Sequence, residues 1–576
     1  MKYNNSYVQR IKWCITSMIK VENLTKIYKL KDNNRIKALN NVSFEINDDE
    51  IFGIMGISGS GKSTLMRILR GVESFDEGRI VFDDVEITPE TYDEHKNMLK
   101  EKSAIHLQRS FGLWSKTAVE NVIHKLYGIK TGDETTADIT NVKEEYMDEA
   151  LDILETVGLK EKADHFAPVL SGGEKQRLVL ARQLAKKPEI LLLDEPATMS
   201  SPRKRKEVLD TIKNIHEKYG TTVIIVSHQP EIQEYMADRI MLMYNGEVVE
   251  IDDPEKVIRD FLSDEEEVYP ICDMNRNKEI IRVRNLTRDF YLYKGGHVLT
   301  IDDLNFNVNK GEILSIIGPT GSGKTELLRM MAGFEQPDSG SIEYLSDGKW
   351  VKMNDYGEER MSIRKNLGFM HQEFALTPHT PIIEQLAYKI SPKTDEIYKE
   401  AIVKAKEIGL SDEALDVLYQ LTDLSKNEAL LKLEKINLSP EVLDILFPSI
   451  STEEVIEYSK PVFDALDLPL PLLTREFIEL SGGQKVRVAM ATVLASQPDI
   501  LILDEPFGDL DPVTLRQVAN SLKKINEKLG TTIILVSHTM DFVEEVSTRT
   551  ILIEKGKIVD SGKPSEITEK FLKMEE

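Results

Sequence analysis

Two closely similar series of short motifs occur in the same order in the two halves of this 576-residue chain. Each series begins with a glycine-rich loop, GISGSGKS at 56–63 and GPTGSGKT at 318–325. Each continues with LSGG and then with an apolar segment that ends in DEP. In both copies, 23 positions separate the LSGG serine from the aspartate of DEP. A repeat of this kind predicts two homologous α/β P-loop units in tandem, each with its own core and helical subdomain.

The repeat and the composition between its copies predict the domain boundaries. We expect a leader or an over-called start at 1–18, a first unit at 19–257 and an acidic linker at 258–278. The second unit is expected at 279–572, with a helical insertion at about 391–460.

The insertion is expected from the spacing of the motifs in the second half. From Gln372 to Ser481 there are 109 positions, whereas from Gln108 to Ser171 there are 63. The additional segment carries apolar residues at helical spacing, as in AIVKAKEIGL and EALLKLEKINL. It is either a tolerated surface insertion or an element on which a partner docks.

The composition restricts the class of protein. A net charge of −25 with a pI near 5.0 counts against broad nucleic-acid binding, which requires neutralisation of phosphates. No apolar run approaches the roughly 18–20 residues of a membrane span. The opening residues have no signal-peptide pattern, and two cysteines, Cys14 and Cys272, cannot build a metal cluster. We expect a cytoplasmic protein without direct membrane insertion.

The glycine-rich loops have the composition of phosphate-binding loops. Glycines let the backbone wrap an anion closely and present N–H groups at a helix N-terminus. Lys62 and Lys324 are expected to reach the β- and γ-phosphates of ATP, and the hydroxyls of Ser63 and Thr325 to bind Mg²⁺. The other loop residues expected to contact ATP are Gly56, Ser58, Gly59, Ser60, Gly61 and Thr64 in the first loop, and Gly318, Thr320, Gly321, Ser322 and Gly323 in the second.

Four residues are candidates for the hydrolytic chemistry. Glu195 and Glu505 directly follow Asp194 and Asp504, the aspartates of the two DEP segments, and are placed to polarise the attacking water. His228 and His538 both lie 34 positions after those aspartates, at the end of VSH, and are expected to contact the γ-phosphate. The identical spacing in both halves favours a functional role over a structural one.

Four further residues are candidate ligands of the metal. Asp194 and Asp504 end apolar strands, where a carboxylate is expected to hold Mg²⁺ directly or through water. Gln108 and Gln372 occupy matching places in the loops HLQRSF and MHQEF, where a side-chain amide would sense the metal and the water.

Aromatic residues and the LSGG segments complete the expected nucleotide contacts. Tyr28 and Phe290 each precede the first loop glycine by 28 residues, and their rings are predicted to stack on adenine. The LSGG segments begin helices, where a hydroxyl and N–H groups suit a phosphate. Their residues are Ser171, Gly172 and Gly173 in the first unit, and Ser481, Gly482 and Gly483 in the second.

Together these motifs resemble those of the ATP-binding-cassette superfamily over nearly all of 19–572. Within it, LLLDEPATMSSP, NLGFMHQEFALTPHT and LSGGQKVRVAMA with LILDEPFGDLDP resemble the ATP-dependent activating component (component A-two) of the methyl-coenzyme M reductase system of methanogens. The resemblance implies a tandem ATPase that supports reductive activation of the reductase, with the reductase and its activation proteins as partners.

The superfamily also implies that each LSGG segment completes the ATP site of the opposite cassette. Site one would combine the first phosphate loop with the second LSGG, and site two the reverse. Three departures fall on site two: Glu326 follows its phosphate loop, Glu174 stands in its LSGG segment, and Ser201 replaces the acidic residue that the other half has at Asp511. An extra carboxylate beside a phosphate is repulsive, so we expect site two to bind ATP but to turn over more slowly than site one. Asp511 is expected among the nucleotide contacts.

Two other functions remain open from the sequence. The chain has the motifs of the paired ATPase of a membrane importer, which a transmembrane subunit would recruit. A ribosome-associated translation ATPase is the second alternative, although such a protein usually has a long charged linker and a basic surface.

Overall fold

The computed structural model describes residues 17–29, 35–106, 112–132, 139, 142–196, 202–263, 265–272, 276–292, 296–371, 376–424, 426–435, 438–439, 441–480, 482–508 and 510–575. The chain divides into two compact units, 1–264 and 265–576. The predicted fold class is confirmed: each unit is a P-loop α/β cassette with a helical subdomain, and the second carries additional helices.

The first cassette contains ten strands and eight α-helices among its described residues. The strands are β1 (Ser17–Lys29), β2 (Arg35–Asn47), β3 (Ile51–Met55), β4 (Glu77–Phe82), β5 (Val85–Ile87), β6 (Ser103–His106), β7 (Ile190–Asp194), β8 (Thr222–Val226), β9 (Arg239–Tyr244) and β10 (Glu247–Asp252). The helices are α1 (Lys62–Leu69), α2 (Tyr92–Lys102), α3 (Ala118–Thr131), α4 (Lys143–Thr156), α5 (Gly172–Leu184), α6 (Pro202–Tyr219), α7 (Pro230–Met236) and α8 (Pro254–Ser263).

A six-stranded sheet in the order β10-β9-β3-β8-β7-β6 forms the centre of the first cassette. Five neighbouring strands of this sheet run parallel, namely β9, β3, β8, β7 and β6, whereas the edge strand β10 is antiparallel to β9. A four-stranded antiparallel sheet, β2-β1-β4-β5, lies in the same unit. Strands β3 and β8 are buried at every residue, as their continuous apolar sequences require of parallel strands covered on both faces.

The second cassette contains ten strands and twelve helices in its described part. The strands are β11 (Glu279–Leu292), β12 (Gly296–Asn309), β13 (Ile313–Ile317), β14 (Ser339–Ser346), β15 (Lys349–Lys352), β16 (Leu367–Met370), β17 (Ile500–Asp504), β18 (Thr532–Val536), β19 (Arg549–Glu554) and β20 (Lys557–Gly562). The helices are α9 (Lys324–Met331), α10 (Glu358–Lys365), α11 (Ile382–Ile390), α12 (Asp395–Glu407), α13 (Asp412–Leu421), α14 (Lys426–Lys435), α15 (Glu441–Leu446), α16 (Thr452–Ala465), α17 (Gly482–Leu494), α18 (Pro512–Leu529), α19 (Met540–Val546) and α20 (Pro564–Glu575).

The second cassette repeats the topology of the first. Its six-stranded sheet has the order β16-β17-β18-β13-β19-β20, and its four-stranded sheet has the order β12-β11-β14-β15. Strand β17 pairs with β18 as β7 pairs with β8, with Asp504 opposite Val536 and Asp194 opposite Val226. The two motif series therefore occupy equivalent places in two equivalent sheets.

The segment between the cassettes differs in detail from the predicted linker at 258–278. Helix α8 continues to Ser263 because its apolar face, with Val257 and Phe261, is buried. The residues that follow pack along α18 of the second cassette: the backbone N–H of Tyr269 donates to the side chain of Asn520 at 2.8 Å. Residues 265–272 therefore form part of the second cassette.

The additional helices of the second cassette have a core of their own. Helices α12 to α15 contribute buried side chains that include Tyr398, Leu418, Tyr419 and Leu433. Met361 of α10 belongs to the same apolar cluster, which joins the insertion to the body of the cassette. The helical insertion expected from motif spacing is thus a packed element.

A buried ion pair connects this insertion with the phosphate-loop helix α9. Arg360 of α10 and Asp416 of α13 both have side chains that are 0% exposed, and Nη1 lies 2.8 Å from Oδ2. Arg360 also donates to the carbonyl oxygen of Gly333, which follows α9. The guanidinium therefore links the C-terminal end of α9 to the insertion.

A second arginine makes a parallel connection one helical turn away. Arg364 donates to the carbonyl oxygen of Ala332 at 2.5 Å and forms an ion pair with Asp423, which follows α13. Two half-exposed lysines, Lys96 and Lys100, occupy the corresponding positions before β6 of the first cassette. The buried arginines are therefore a property of the cassette that carries the insertion.

We expect Asp416→Ala to destabilise the second cassette by about 3–5 kcal/mol, because the Arg360 guanidinium would remain buried without its carboxylate. Urea unfolding followed by circular dichroism measures the effect. The joint replacement Arg360→Met, Asp416→Leu should cost less, since neither charge remains. Lys96→Met is the matched control in the first cassette, with an expected change within about 0.5 kcal/mol. A loss below 1 kcal/mol in Asp416→Ala would contradict the role given to this pair.

Candidate active sites

The phosphate loops follow the central strands β3 and β13 and lead directly into α1 and α9. Gly56 and Gly318 have φ angles of 148° and 150°. A Cβ at either position would overlap with a backbone oxygen, that of Met243 or of Ile553. Both glycines are therefore required by positive φ and by close approach of the neighbouring strand.

The loop lysines lie inside the curve of their own loops. Lys62 Nζ donates to the carbonyl oxygens of Gly56 and Ile57 at 2.7 and 2.8 Å. Lys324 Nζ donates to those of Gly318 and Pro319 at 2.9 and 3.0 Å. An ammonium group held in a ring of backbone groups at a helix N-terminus suits a triphosphate, so the described loop residues fit ATP.

In the second cassette, the strand-end aspartate lies beside the hydroxyl that follows the loop lysine. Thr325 Oγ1 donates to Asp504 Oδ1 at 3.0 Å in the second cassette. Burial raises the pKa of Asp504 to about 6, and the charge of Glu505 adds to the shift. Burial and the charge of Glu195 also raise the pKa of Asp194. A hydroxyl and a carboxylate in contact are the ligands that Mg²⁺ binds in P-loop proteins, and the pair fits such a metal.

In the first cassette, Glu195 is held by the two residues that follow β8. Ser227 Oγ donates to Glu195 Oε2 at 3.1 Å. The backbone N–H of His228 donates to Oε1 at 3.0 Å, and His228 Nδ1 lies 2.6 Å from the same oxygen. The carboxylate, the peptide and the imidazole thus form one connected group.

The corresponding pair in the second cassette is arranged differently. His538 contacts Glu505 Oε1 through Nε2, at 2.8 Å, whereas His228 uses Nδ1. The side chain of His538 is 44% exposed and that of His228 is 9% exposed. The structure therefore brings together both predicted glutamate–histidine pairs but gives the first one the more closed geometry.

Both glutamates have left-handed backbone conformations. Glu195 has a φ angle of 51° and Glu505 one of 49°. The N–H of Glu195 donates to the carbonyl oxygen of Val226, and that of Glu505 to the carbonyl oxygen of Val536, each at the end of the adjacent strand. A non-glycine residue held at positive φ costs on the order of 1–3 kcal/mol, which the surrounding structure must offset. Such strain is concentrated at functional positions, and here it directs the carboxylate toward the histidine.

The predicted adenine-stacking aromatics occupy equivalent places with a cation on one face. Lys26 Nζ lies 5.5 Å from the ring centroid of Tyr28, and Arg288 Cζ lies 5.5 Å from that of Phe290. The Tyr28 hydroxyl donates to Glu73, while Phe290 packs partly against the apolar core. Stacking on adenine stays a prediction for both rings.

The first LSGG segment begins a helix through a reciprocal cap. The side chain of Ser171 accepts from the N–H of Glu174, whose carboxylate accepts from the N–H of Ser171 at 2.9 Å. Lys162 also contacts this carboxylate and, with the cap, lowers the pKa of Glu174 to about 2. The Glu174 charge is therefore compensated locally, which weakens the expectation that it repels phosphate.

Other predicted residues lie in helix caps or outside the described chain. Asp511 is 1% exposed and caps α18 by accepting from the N–H of Thr514 at 2.9 Å. In the second LSGG segment, Gly482 begins α17 and Gly483 follows it. Gln108, Gln372, Ser201 and Ser481 lie outside the described residues.

Motif reasoning missed the role of Ser227. Its hydroxyl joins the group around Glu195, and it also accepts from the N–H of Gln229 at 3.2 Å. The signal was present, because a serine precedes the histidine in both VSH segments. Arg360 and Arg364 were also missed, since the side chains they contact are separated from them by more than 50 positions in the sequence.

The family model described as ABC transporter matches residues 39–198 and 301–508, which together make up more than half of the chain. The chain belongs to the ABC transporter family. Its two units are ABC cassettes, and the protein is an ATP-hydrolysing enzyme of this family. No helix in the described part of this ABC protein has the length and apolar character needed to cross a membrane.

Relatives of similar length carry names that assign no substrate. An uncharacterized ABC transporter ATP-binding protein of Methanocaldococcus jannaschii is 47% identical over 561 residues, covering 96% of this chain and 97% of the relative. A second such protein of the same organism is 30% identical over 585 residues, covering 96% of each. A further relative matches only half of this chain and has a name that states a substrate. This methionine import ATP-binding protein of Clostridioides difficile is 33% identical, covering 50% of this chain and 85% of the relative.

Solved structures with both cassettes share the fold. An RNase-L inhibitor superposes with a TM-score of 0.55 at 21% identity, covering 96% of this chain and 93% of that one. An archaeal ribosome recycling factor, solved in complex with an archaeal ribosomal stalk protein, gives 0.53 at 20% identity, covering 96% and 92%. At this identity the likeness concerns the tandem-cassette fold.

The raised pKa of Asp504 gives a pH-dependent stability. Its carboxylate ionises near pH 6 when folded and near its ordinary value of 3.8 when unfolded, so ionisation disfavours the fold as the pH rises through 6. We expect Asp504→Asn to stabilise the nucleotide-free second cassette at pH 8 by on the order of 2 kcal/mol, because the Thr325 hydroxyl can still donate to the amide oxygen.

Thermal unfolding at a series of pH values, without nucleotide or metal, measures this difference. The advantage of Asp504→Asn should disappear below about pH 4, where the wild-type carboxyl is protonated in both states. Asp194→Asn provides the matched variant in the first cassette. Destabilisation by Asp504→Asn at pH 8 would show that the ionised carboxylate is favourable in the fold.

Proposed function

We propose that this protein is a tandem ATPase whose cassettes form two composite ATP sites and whose closing drives the reductive activation of methyl-coenzyme M reductase. The observation that carries the ATPase chemistry is the pairing of Glu195 with His228, and of Glu505 with His538, beside the end of the phosphate-loop strand. The choice of partner rests on the resemblance of ATMSSP, FGDLDP and their neighbouring segments to the activating component of that system.

In this proposal each LSGG segment serves the ATP site of the other cassette, in a head-to-tail pair. Lys62, Glu195 and His228 act with the second LSGG, and Lys324, Glu505 and His538 with the first. Helices α5 and α17 begin at these segments, and the positive end of a helix favours a phosphate. ATP with Mg²⁺ supplies the phosphates and the metal charge; the glutamates orient water, and the histidines contact the γ-phosphate.

The insertion is the proposed site at which the ATP cycle acts on the partner. Helix α9 has Thr325 of the phosphate loop at its N-terminal end and Ala332 and Gly333 just after its C-terminal end. Arg360 and Arg364 bind those last two carbonyl groups and the carboxylates of the insertion. Because these contacts are buried and charged, a displacement of α9 would be transmitted to the insertion rather than absorbed by a loose surface.

A translation ATPase is the second candidate, because the fold aligns with an archaeal ribosome recycling factor over 96% of this chain. At 20% identity that observation supports the architecture. The net charge of −25 counts against binding ribosomal RNA, which requires neutralisation of phosphates. An importer ATPase would instead be recruited by a transmembrane subunit.

The closed geometry around Glu195 supports faster hydrolysis at site one. We expect Glu195→Gln to lower the steady-state ATPase rate by about tenfold or more and Glu505→Gln to lower it less, because only the first removes the more organised carboxylate. The measurement is phosphate release at saturating MgATP. Binding of a fluorescent ATP analogue to both variants serves as the control, and equal losses of rate with intact binding would contradict the asymmetry.

The partner is tested by activating purified, inactive methyl-coenzyme M reductase anaerobically with its activation proteins, a reductant and ATP. The wild-type protein should restore methane formation, whereas Glu195→Gln, Glu505→Gln should leave it near background, because it binds ATP without hydrolysing it. Asp416→Ala tests the connection to the insertion: activation should fall more than ATPase activity. Full activation by the double variant, or none by the wild type while its ATPase is intact, would refute the proposed function.

A further inference from the structure

A glutamine on α7 is the polar side chain behind the Glu195 and His228 group of the first cassette. Gln233 is 0% exposed. Its Nε2 lies 3.1 Å from the carbonyl oxygen of Ile54, 3.3 Å from that of Ile225 and 3.1 Å from that of Ser227. With three carbonyl oxygens facing it, this atom must be the amide nitrogen, since a carbonyl oxygen there would be repelled.

These three acceptors belong to the structures that build the site. Ile54 lies at the end of β3, just before the phosphate loop, and Ile225 lies near the end of β8. The Ser227 carbonyl belongs to the peptide bond between Ser227 and His228. The N–H of that same peptide donates to Glu195 Oε1 at 3.0 Å. Gln233 therefore fixes one end of a peptide whose other end holds the catalytic carboxylate.

We propose that Gln233 is a positioning residue of the first cassette, which orients the Ser227–His228 peptide toward Glu195 and ties it to the phosphate-loop strand. The amide is fully buried against three backbone carbonyl oxygens, so it acts through the peptide. Because a planar peptide cannot rotate at one end alone, holding its carbonyl also fixes its N–H. A carboxylate held in place before the reaction needs less reorganisation during it.

The second cassette provides a natural comparison. Five positions after its histidine stands Val543 in place of Gln233, and it is buried without a donor group. Gly53 and Ala237, which flank Gln233, correspond to Ser315 and Ser547. These two serines hydrogen-bond to each other through their hydroxyls. The two cassettes thus fill the same space with different chemistry.

The glycine at position 53 is part of this arrangement. A Cβ there would overlap with Gln233 Oε1 and would lie 3.0 Å from Ala237 Cβ and from Ile240 Cγ1. Gly53 therefore makes room for the glutamine, and Ser315 would not. Ile240 pairs with Gly53 as Thr550 pairs with Ser315, so the second cassette also has a smaller side chain at this place. The glutamine cannot be exchanged by itself for the valine of the other cassette without leaving a gap, whereas the complete set of four residues can.

The test uses two variants in the Glu505→Gln background, where the first turnover depends on Glu195. Gln233→Met keeps the side-chain volume and removes the amide. The quadruple variant Gly53→Ser, Gln233→Val, Ala237→Ser, Ile240→Thr installs the residues that the second cassette has at these four positions, so that packing is preserved. Rapid-quench measurement of the first ATP turnover, over a range of MgATP concentrations, separates the rate from the half-saturating concentration. Glu195→Gln, Glu505→Gln gives the background.

Both variants should lower the first-turnover rate by about five- to tenfold, with the half-saturating MgATP concentration within about twofold of the parent. The quadruple variant should unfold at nearly the parent temperature, because the space is filled as in the second cassette. Val543→Ala, an equally buried change in the other cassette, should leave the first-turnover rate within about twofold.

If Gln233 only stabilised the fold and did not position the peptide, the first-turnover measurements would differ from those expected. An unchanged rate in a folded quadruple variant would overturn the proposal. A shift of half-saturation as large as the loss of rate would also overturn it, because the glutamine would then support ATP binding rather than the reacting geometry. The test concerns hydrolysis alone, so its outcome is independent of the reductase.

Discussion

The order of strands in the parallel sheet is the constraint on which both active sites depend. Strand β8 lies between β3 and β7, and all three run in the same direction. Parallel strands end at the same edge, so the phosphate loop after β3, the histidine after β8 and the acidic pair after β7 must meet there. The second sheet repeats this arrangement. Burial of these strands on both faces supplies the stability that permits two glutamates at positive φ.

Identical topology has not produced identical sites. The carboxylate of Glu195 contacts a hydroxyl, a backbone N–H and an imidazole, whereas in the second cassette the exposed ring of His538 approaches Glu505 through its other nitrogen. The residues behind the two sites differ as well, because Gln233 binds three carbonyl oxygens and the matching Val543 has no side-chain donor. Two copies of one fold can therefore diverge in chemistry through side chains that do not contact the nucleotide.

The insertion adds a second level of asymmetry, because it is bonded to the helix that begins at the phosphate loop. Burying Arg360 with Asp416 removes two charges from water. The attraction between them offsets this desolvation penalty only when the geometry is good and further hydrogen bonds form. Apolar residues would fill this space with less desolvation cost. The ion pair instead fixes one arrangement of α9, α10 and α13, as the proposed coupling of the insertion to the phosphate loop requires.

The sequence by itself determined the duplicated fold, the helical insertion and the identity of the residues around each phosphate loop. It could do so because these features are local motifs at fixed spacing, in which glycine, lysine, aspartate and glutamate have specific chemical roles. Only the tertiary structure decided which nitrogen of each histidine meets its glutamate, how Glu174 is compensated by Lys162, and that residues 265–272 pack on α18. It also revealed Gln233, Arg360 and Arg364. Their partners lie on other strands and helices, so folding rather than spacing brings them into contact.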